Sequence, residues 1–125
     1  MGVTVELLPL TTIEKALNEE ISQNISDTID TSRYSSGAIT ARVLKSSGTG
    51  AGPELRIEGS DDGQTFEPVS RMIITGAEAP ATKKANLNRA VHRGSDEYLW
   101  RYFRWVLDPP TTNMEFCGRV TIVLK

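Results

Sequence analysis

Tyr98-Leu99-Trp100-Arg101-Tyr102-Phe103-Arg104-Trp105-Val106-Leu107 carries the strongest β signal in the chain. Aromatic and branched residues occupy both faces of a period-two pattern. That predicts a central strand covered on both sides. Asp108-Pro109-Pro110 stops it, because proline cannot donate to a ladder.

Downstream, Thr111–Glu115 reads as a turn. Phe116, Gly118, Val120, Ile122 and Leu124 then define one inward face, with Arg119 and Thr121 pointing the other way. Upstream, Thr75–Glu97 is the least regular segment. It reads as a long excursion carrying Lys83, Lys84, Arg89, His92 and Arg93, with a short strand or helical turn near Ala85–Val91. Phe66–Ile74 reads as a strand that Pro68 restricts to an edge.

The turn before it has a mechanism. In Ser60-Asp61-Asp62-Gly63-Gln64-Thr65-Phe66, aspartate can bond its own backbone and Gly63 can take a positive φ. Leu55 and Ile57 alternate with Glu54, Arg56 and Glu58. Ile39, Ala41 and Val43 alternate with Thr40, Arg42 and Leu44. Both sets predict half-buried strands, separated by the glycine-rich loop Ser46–Pro53. Asp30–Gly37 reads as a turn, and Ile21, Ile25 and Ile29 as a strand with one wet face.

The N-terminal part is ambiguous. Val3–Leu8 alternates loosely and reads as a strand or an extended arm ended by Pro9. Thr11 with Glu14 fits a capping box, and Ile13, Ala16 and Leu17 fall at helical spacing. A short helix over Thr12–Glu20 or a connecting segment both fit. The expected organisation is an arm and connecting segment over residues 1–20, followed by a β-sandwich over 21–125. About seven short strands without intervening amphipathic helices predict an antiparallel sandwich. Jelly-roll and immunoglobulin-like strand orders both remain open.

Composition bounds the function. The chain has 125 residues, 38% hydrophobic and 24% charged, which is ordinary for one globular domain. Its formal net charge is −2, and no basic stripe appears, so nucleic acid is not an expected partner. No segment reaches the ~20 apolar residues that span a membrane. The one cysteine, Cys117, allows no internal disulfide and reads as a small side chain in or near a strand.

The chemistry expected of an enzyme is missing from the pattern. His92 is the only histidine, no Gly-x-Ser-x-Gly elbow is present, and one Cys with one His makes a poor zinc set. Gly48-Thr49-Gly50-Ala51-Gly52 lacks the lysine and hydroxyl of a phosphate loop. Asp61-Asp62 is too small a set for calcium, and the acidic cluster Glu54, Glu58, Asp61 and Asp62 reads as a solvated face and a turn. No catalytic residue, metal or cofactor is expected. Trp100, Tyr102, Phe103 and Trp105 fit a sandwich core, or a platform for stacking on sugar.

Ile57-Glu58-Gly59-Ser60-Asp61-Asp62-Gly63-Gln64-Thr65-Phe66 together with Arg101-Tyr102-Phe103-Arg104-Trp105-Val106-Leu107 resembles small β proteins of tailed bacteriophage virions, of the capsid decoration or cement type. Ile29-Asp30-Thr31-Ser32-Arg33-Tyr34 resembles the turn with which such proteins open. The likeness runs from about Asp27 to Leu124. The same corner and the Arg-Tyr-x-Arg strand also look like discoidin-type and carbohydrate-binding sandwiches.

The resemblance implies a non-enzymatic virion protein on the capsid surface, assembled in the host cytoplasm. Its partners would be the major capsid protein or other virion proteins, and a homodimer or homotrimer would suit capsid axes. A tail or baseplate accessory is the neighbouring alternative, and a carbohydrate-binding module is the alternative of another class. The candidate contact residues are Val3, Val5 and Leu7 on the arm, and Lys83, Lys84, Arg89 and Arg93 in the basic stretch. An arm can add to a neighbour's sheet edge, so removing Met1–Leu10 should weaken capsid binding. The capsid role expects both tryptophans buried, and the sugar role expects one exposed in a groove.

Overall fold

Alternation along Ser36–Ser47 and Met114–Leu124 sets one sheet. In the computed structural model, which describes residues 2–15, 21–22, 28–47, 53–93, 95–108 and 114–125, these are the two inner strands of that sheet. In chain order the strands are β1 (Val3–Lys15), β2 (Ile21–Ser22), β3 (Ile29–Asp30), β4 (Ser36–Ser47), β5 (Glu54–Ser60), β6 (Glu67–Pro68), β7 (Ala81–Asn88), β8 (Tyr102–Asp108) and β9 (Met114–Leu124). Single 3-10 turns at Ser70–Met72 and Gly76–Glu78 lie between β6 and β7.

One sheet runs β1-β9-β4-β7. The other runs β2-β8-β5-β6, with β3 also on β8. The strand ladders in both sheets are antiparallel. Ile21 lies opposite Leu107 and Ile29 opposite Phe103, so β2 and β3 both lie along the same edge of β8. Taken as one, they leave eight strands in the order 1-8-3-6 and 2-7-4-5. That interleaving of two four-stranded sheets is the jelly roll. It decides between the two sandwich orders that the sequence left open.

The core lies between the sheets. Ile39, Ala41 and Val43 of β4, Leu55 and Ile57 of β5, Phe103 and Leu107 of β8, and Phe116, Val120, Ile122 and Leu124 of β9 are all buried in it. Each large side chain contributes roughly 1.5–3 kcal/mol by leaving water. These are the faces that period-two alternation predicts.

Five segments differ from the sequence reading. Val3–Lys15 is not an arm: it is hydrogen-bonded along β9 from Val3↔Leu124 to Lys15↔Met114. The sandwich therefore begins at Val3 rather than residue 21. Thr12–Lys15, expected in a short helix or connection, is strand, and residues 16–20 lie outside the described set. Tertiary pairing overrides the capping signal there.

The third difference is in the excursion. Ala81–Asn88 is a full strand against β4. Lys83 and the asparagines hide its alternation, yet Ala81, Ala85 and Leu87 all face inward with Lys83. The fourth concerns Tyr98–Leu107, where only Tyr102 onward is strand. Leu99 and Trp100 are buried but tucked under the sandwich end, because Asn88 pairs with Tyr98 and the Thr31 hydroxyl donates to the Trp100 carbonyl at 2.6 Å. Phe66–Ile74 likewise keeps only Glu67–Pro68 as strand before a 3-10 turn.

Candidate docking surface

The residues singled out in the sequence disperse. Leu7 is buried in the core, Val5 packs against it, and Val3 is exposed at the start of β1. A bulge between Glu6 and Leu8 turns both Leu7 and Leu8 inward. Trp105 crosses from the other sheet there, its indole N–H donating to the Leu7 carbonyl at 3.1 Å. This bulge and Pro9 interrupt the outer edge of β1, which discourages strand addition along its whole length.

The basic stretch is not one surface either. Lys83 points inward, donates to the Ile73 carbonyl and pairs with Glu78 at 3.2 Å. Arg89 donates to the carbonyls of Thr31 (2.7 Å), Tyr34 (3.1 Å) and Leu99 (3.2 Å). It is a staple inside the fold. Arg93 pairs with Asp61 at 3.0 Å and lies over the Trp100 ring. Only Lys84 faces outward from its strand without a hydrogen-bond or ion-pair partner among the described residues.

The acidic corner is equally occupied. Amides of Thr65 and Gln64 and the Ser60 hydroxyl donate to the Asp62 carboxylate, holding its pKa down to about 2 from the ordinary 3.8. Ser60 Oγ accepts from Gly63 N–H, and Gly63 sits at φ 77°. Asp61 takes Arg93 and the Arg101 amide. Glu58 is held by Arg104 at 2.7 Å and by Arg56 at 3.6 Å, with Arg104 stacked on Phe66. Among the described residues no group of three or more His, Cys, Asp and Glu side chains is placed to hold a metal ion. His92 is exposed.

The two tryptophans differ in burial, Trp100 being buried and Trp105 half-buried. Trp100 is 4% exposed, and its ring lies so close to Gly59 that a Cβ there would fall 2.3 Å from it. Trp105 packs against the core.

The outer face of the β1-β9-β4-β7 sheet carries an open depression. Thr4, Thr40, Arg42, Arg119 and Thr121 line a shallow depression of about 290 Å³ on it. Pairing brings them together: Thr40 lies opposite Thr121 and also opposite Lys84, and Arg42 lies opposite Arg119. Arg119 pairs with Glu6 of β1. Arg42 has no ion pair or hydrogen bond among the described residues, although it is exposed. Further along, Lys45 pairs with Glu115, and Leu44 is exposed at a bulge in β4. The outward sets Thr40/Arg42 and Arg119/Thr121 are legible as alternation. Their meeting across two strands is not, because register is a tertiary property.

No family model matches the chain, and no curated protein matches it. Solved structures do. A chain of the structure of infectious bursal disease virus Gx strain matches over 99% of this chain and 31% of its own, at 9% identity and TM-score 0.49. The VP2 subviral particle of infectious bursal disease virus matches over 99% of this chain and 40% of its own, at 12% identity and TM-score 0.34. A D431N mutant VP2 protein of the same virus, in derived T=1 particles, matches at 10% identity and TM-score 0.31. This chain thus spans under half the length of each of these chains.

Proposed function

We propose that this is a non-enzymatic structural protein of a virion, docking on other virion proteins through the outer face of its four-stranded β1-β9-β4-β7 sheet. The observation that carries the docking reading is a contrast. Arg89, Asp61, Asp62 and Glu58, the polar groups that could do chemistry, are tied into the scaffold, whereas the Thr4, Thr40, Arg42, Arg119 and Thr121 face keeps an exposed cation, Arg42, without an ion-pair partner among the described residues.

Two further points support the virion class. The jelly roll is an architecture used by viral capsid domains, though lectin domains and cupins share it. The stretch Ile57–Phe66 combined with Arg101–Leu107 resembles tailed-phage decoration proteins. Within the class, the proposed role is capsid decoration or cement, on the capsid surface and bound to the major capsid protein, with homodimers or homotrimers at capsid axes. Many weak contacts acting together suffice for such a role. A sugar-binding role would need an aromatic platform, and the burial of Trp100 speaks against that.

The test is mass spectrometry of gradient-purified particles from the source lysate, quantifying this chain against the major capsid protein. A ratio near one copy per capsid subunit, or per few subunits, is expected. A handful of copies per particle would move the protein to the tail, and absence from particles would remove the virion reading.

A further inference from the structure

We infer that the outer face of the β1-β9-β4-β7 sheet takes a short acidic protein segment, its carboxylates seated between Arg42, Arg119 and Lys84. This rests on the docking reading above and names the partner's chemistry.

The first ground is the register. Arg42 and Arg119 sit directly opposite each other on adjacent strands. Like charges in that position destabilise a sheet. One carboxylate, Glu6, serves Arg119, and nothing among the described residues serves Arg42 or Lys84. Among the described residues the patch therefore holds three cations, Arg42, Arg119 and Lys84, against the one carboxylate of Glu6, a local +2 on a chain whose net charge is −2. Arg56, Arg71, Arg93, Arg101 and Arg104 all meet carboxylates; Arg33, in the turn before β4, is also exposed without a carboxylate among the described residues, but no second arginine stands opposite it on a strand.

The second ground is the lining. Thr4, Thr40 and Thr121 surround the depression with hydroxyl donors. Guanidinium forks flanked by hydroxyls match carboxylate oxygens, which accept two parallel hydrogen bonds from one arginine. A nucleic-acid backbone presents one charge per ~1.7 Å of duplex, far more than this patch neutralises, and an acidic chain repels it. A segment bearing one or two carboxylates matches the surplus.

The experiment is a titration of the isotope-labelled chain with a short oligoglutamate peptide at low ionic strength, followed by amide and arginine side-chain resonances. Saturable shifts confined to Thr40, Arg42, Lys84, Arg119 and Thr121 are expected. Arg42→Glu should weaken binding by about tenfold or more, a change of about 1.4 kcal/mol, while Arg42→Lys keeps most of it. Arg71→Glu, on another surface, should leave binding as it is. Arg42→Thr should abolish the arginine contact yet raise the urea midpoint, since it relieves the like-charge pair.

No saturable shift overturns the inference, as do shifts centred elsewhere. So does a single-stranded DNA oligomer binding the same residues more tightly than the peptide. A fall in midpoint for Arg42→Thr would make the arginine structural and remove the first ground. The docking reading fails separately. If wild type and Arg42→Glu enter particles equally, the acidic-segment inference falls and the virion role stands. If the peptide binds but the chain is absent from particles, the virion role falls and the site stands.

Discussion

The Arg89 guanidinium donates to both the carbonyl (2.7 Å) and the hydroxyl (3.1 Å) of Thr31, 58 residues away in sequence. Thr31 is fully buried and its own hydroxyl donates a hydrogen bond to the Trp100 carbonyl at 2.6 Å. Arg89 also holds the carbonyls of Tyr34 and Leu99. The end of β3, the turn before β4 and the segment leading to β8 thus hang on one side chain. Arg89→Ala should cost about 3 kcal/mol of unfolding free energy, because hydrogen bonds to a charged group are each worth ~1.5–3 and the carbonyls are left short of donors. Arg89→Lys should recover less than half, since an ammonium cannot span the fork. Urea unfolding followed by tryptophan fluorescence measures both. An alanine variant within 0.5 kcal/mol of wild type, roughly the range of ordinary surface changes, would sink this account.

Gly59 and Trp100 make the second prediction. An added Cβ would lie 2.3 Å from Trp100 Cγ and Cδ1. Overpacking of this kind costs about 1–3 kcal/mol, so Gly59→Ala should lower the urea midpoint and red-shift the emission as the indole is pushed toward water. A matched Ser60→Ala change should destabilise without that spectral shift, because Ser60 Oγ serves the Asp62–Gly63 turn instead.

Asp62 makes stability depend on acid. Its folded pKa is lowered, chiefly by the Thr65 and Gln64 amides, to about 2. A lowered folded value means the contribution is present above the unfolded 3.8 and is lost as pH falls toward 2. Between those values the unfolded chain binds more protons, so stability must rise with pH. The Asp62→Asn variant should show a shallower rise of urea midpoint across that window than wild type. Carbon-detected titration of the Asp62 carboxyl gives the folded value directly, and an ordinary value near 3.8 would refute the turn geometry.

Truncation tests the status of β1. Leu7 and Leu8 are both buried, and β1 pairs with β9 at both its ends. Each buried leucine is worth about 2–5 kcal/mol, against a total stability of about 5–15 for a domain. Removing Met1–Leu8 should therefore unfold or grossly destabilise the protein, visible as collapse of amide dispersion. It should not yield a folded chain that merely binds less well. A truncated form with a wild-type midpoint would restore the independent arm.

The strands with clean alternation were readable from residues alone. Ile39/Ala41/Val43, Leu55/Ile57 and Phe116/Val120/Ile122/Leu124 each bury one face, as period two demands. The Ser60–Phe66 corner was readable too, because aspartate and glycine carry their turn chemistry locally. Those local signals determined an antiparallel all-β sandwich.

Tertiary structure decided the rest. β1 reads as an arm until β9 supplies its hydrogen bonds, and β7 hides behind lysine and asparagine until β4 does. The jelly-roll order follows from which strands meet, and nothing within a strand encodes its neighbour. Arg89 looked like one of several surface cations and is a buried-carbonyl staple, whereas Arg42 and Arg119 looked like two separate outward residues and form one patch. The physical reason is the same in each case. Alternation fixes the side of the sheet on which a residue stands, and only the long-range register fixes what stands beside it.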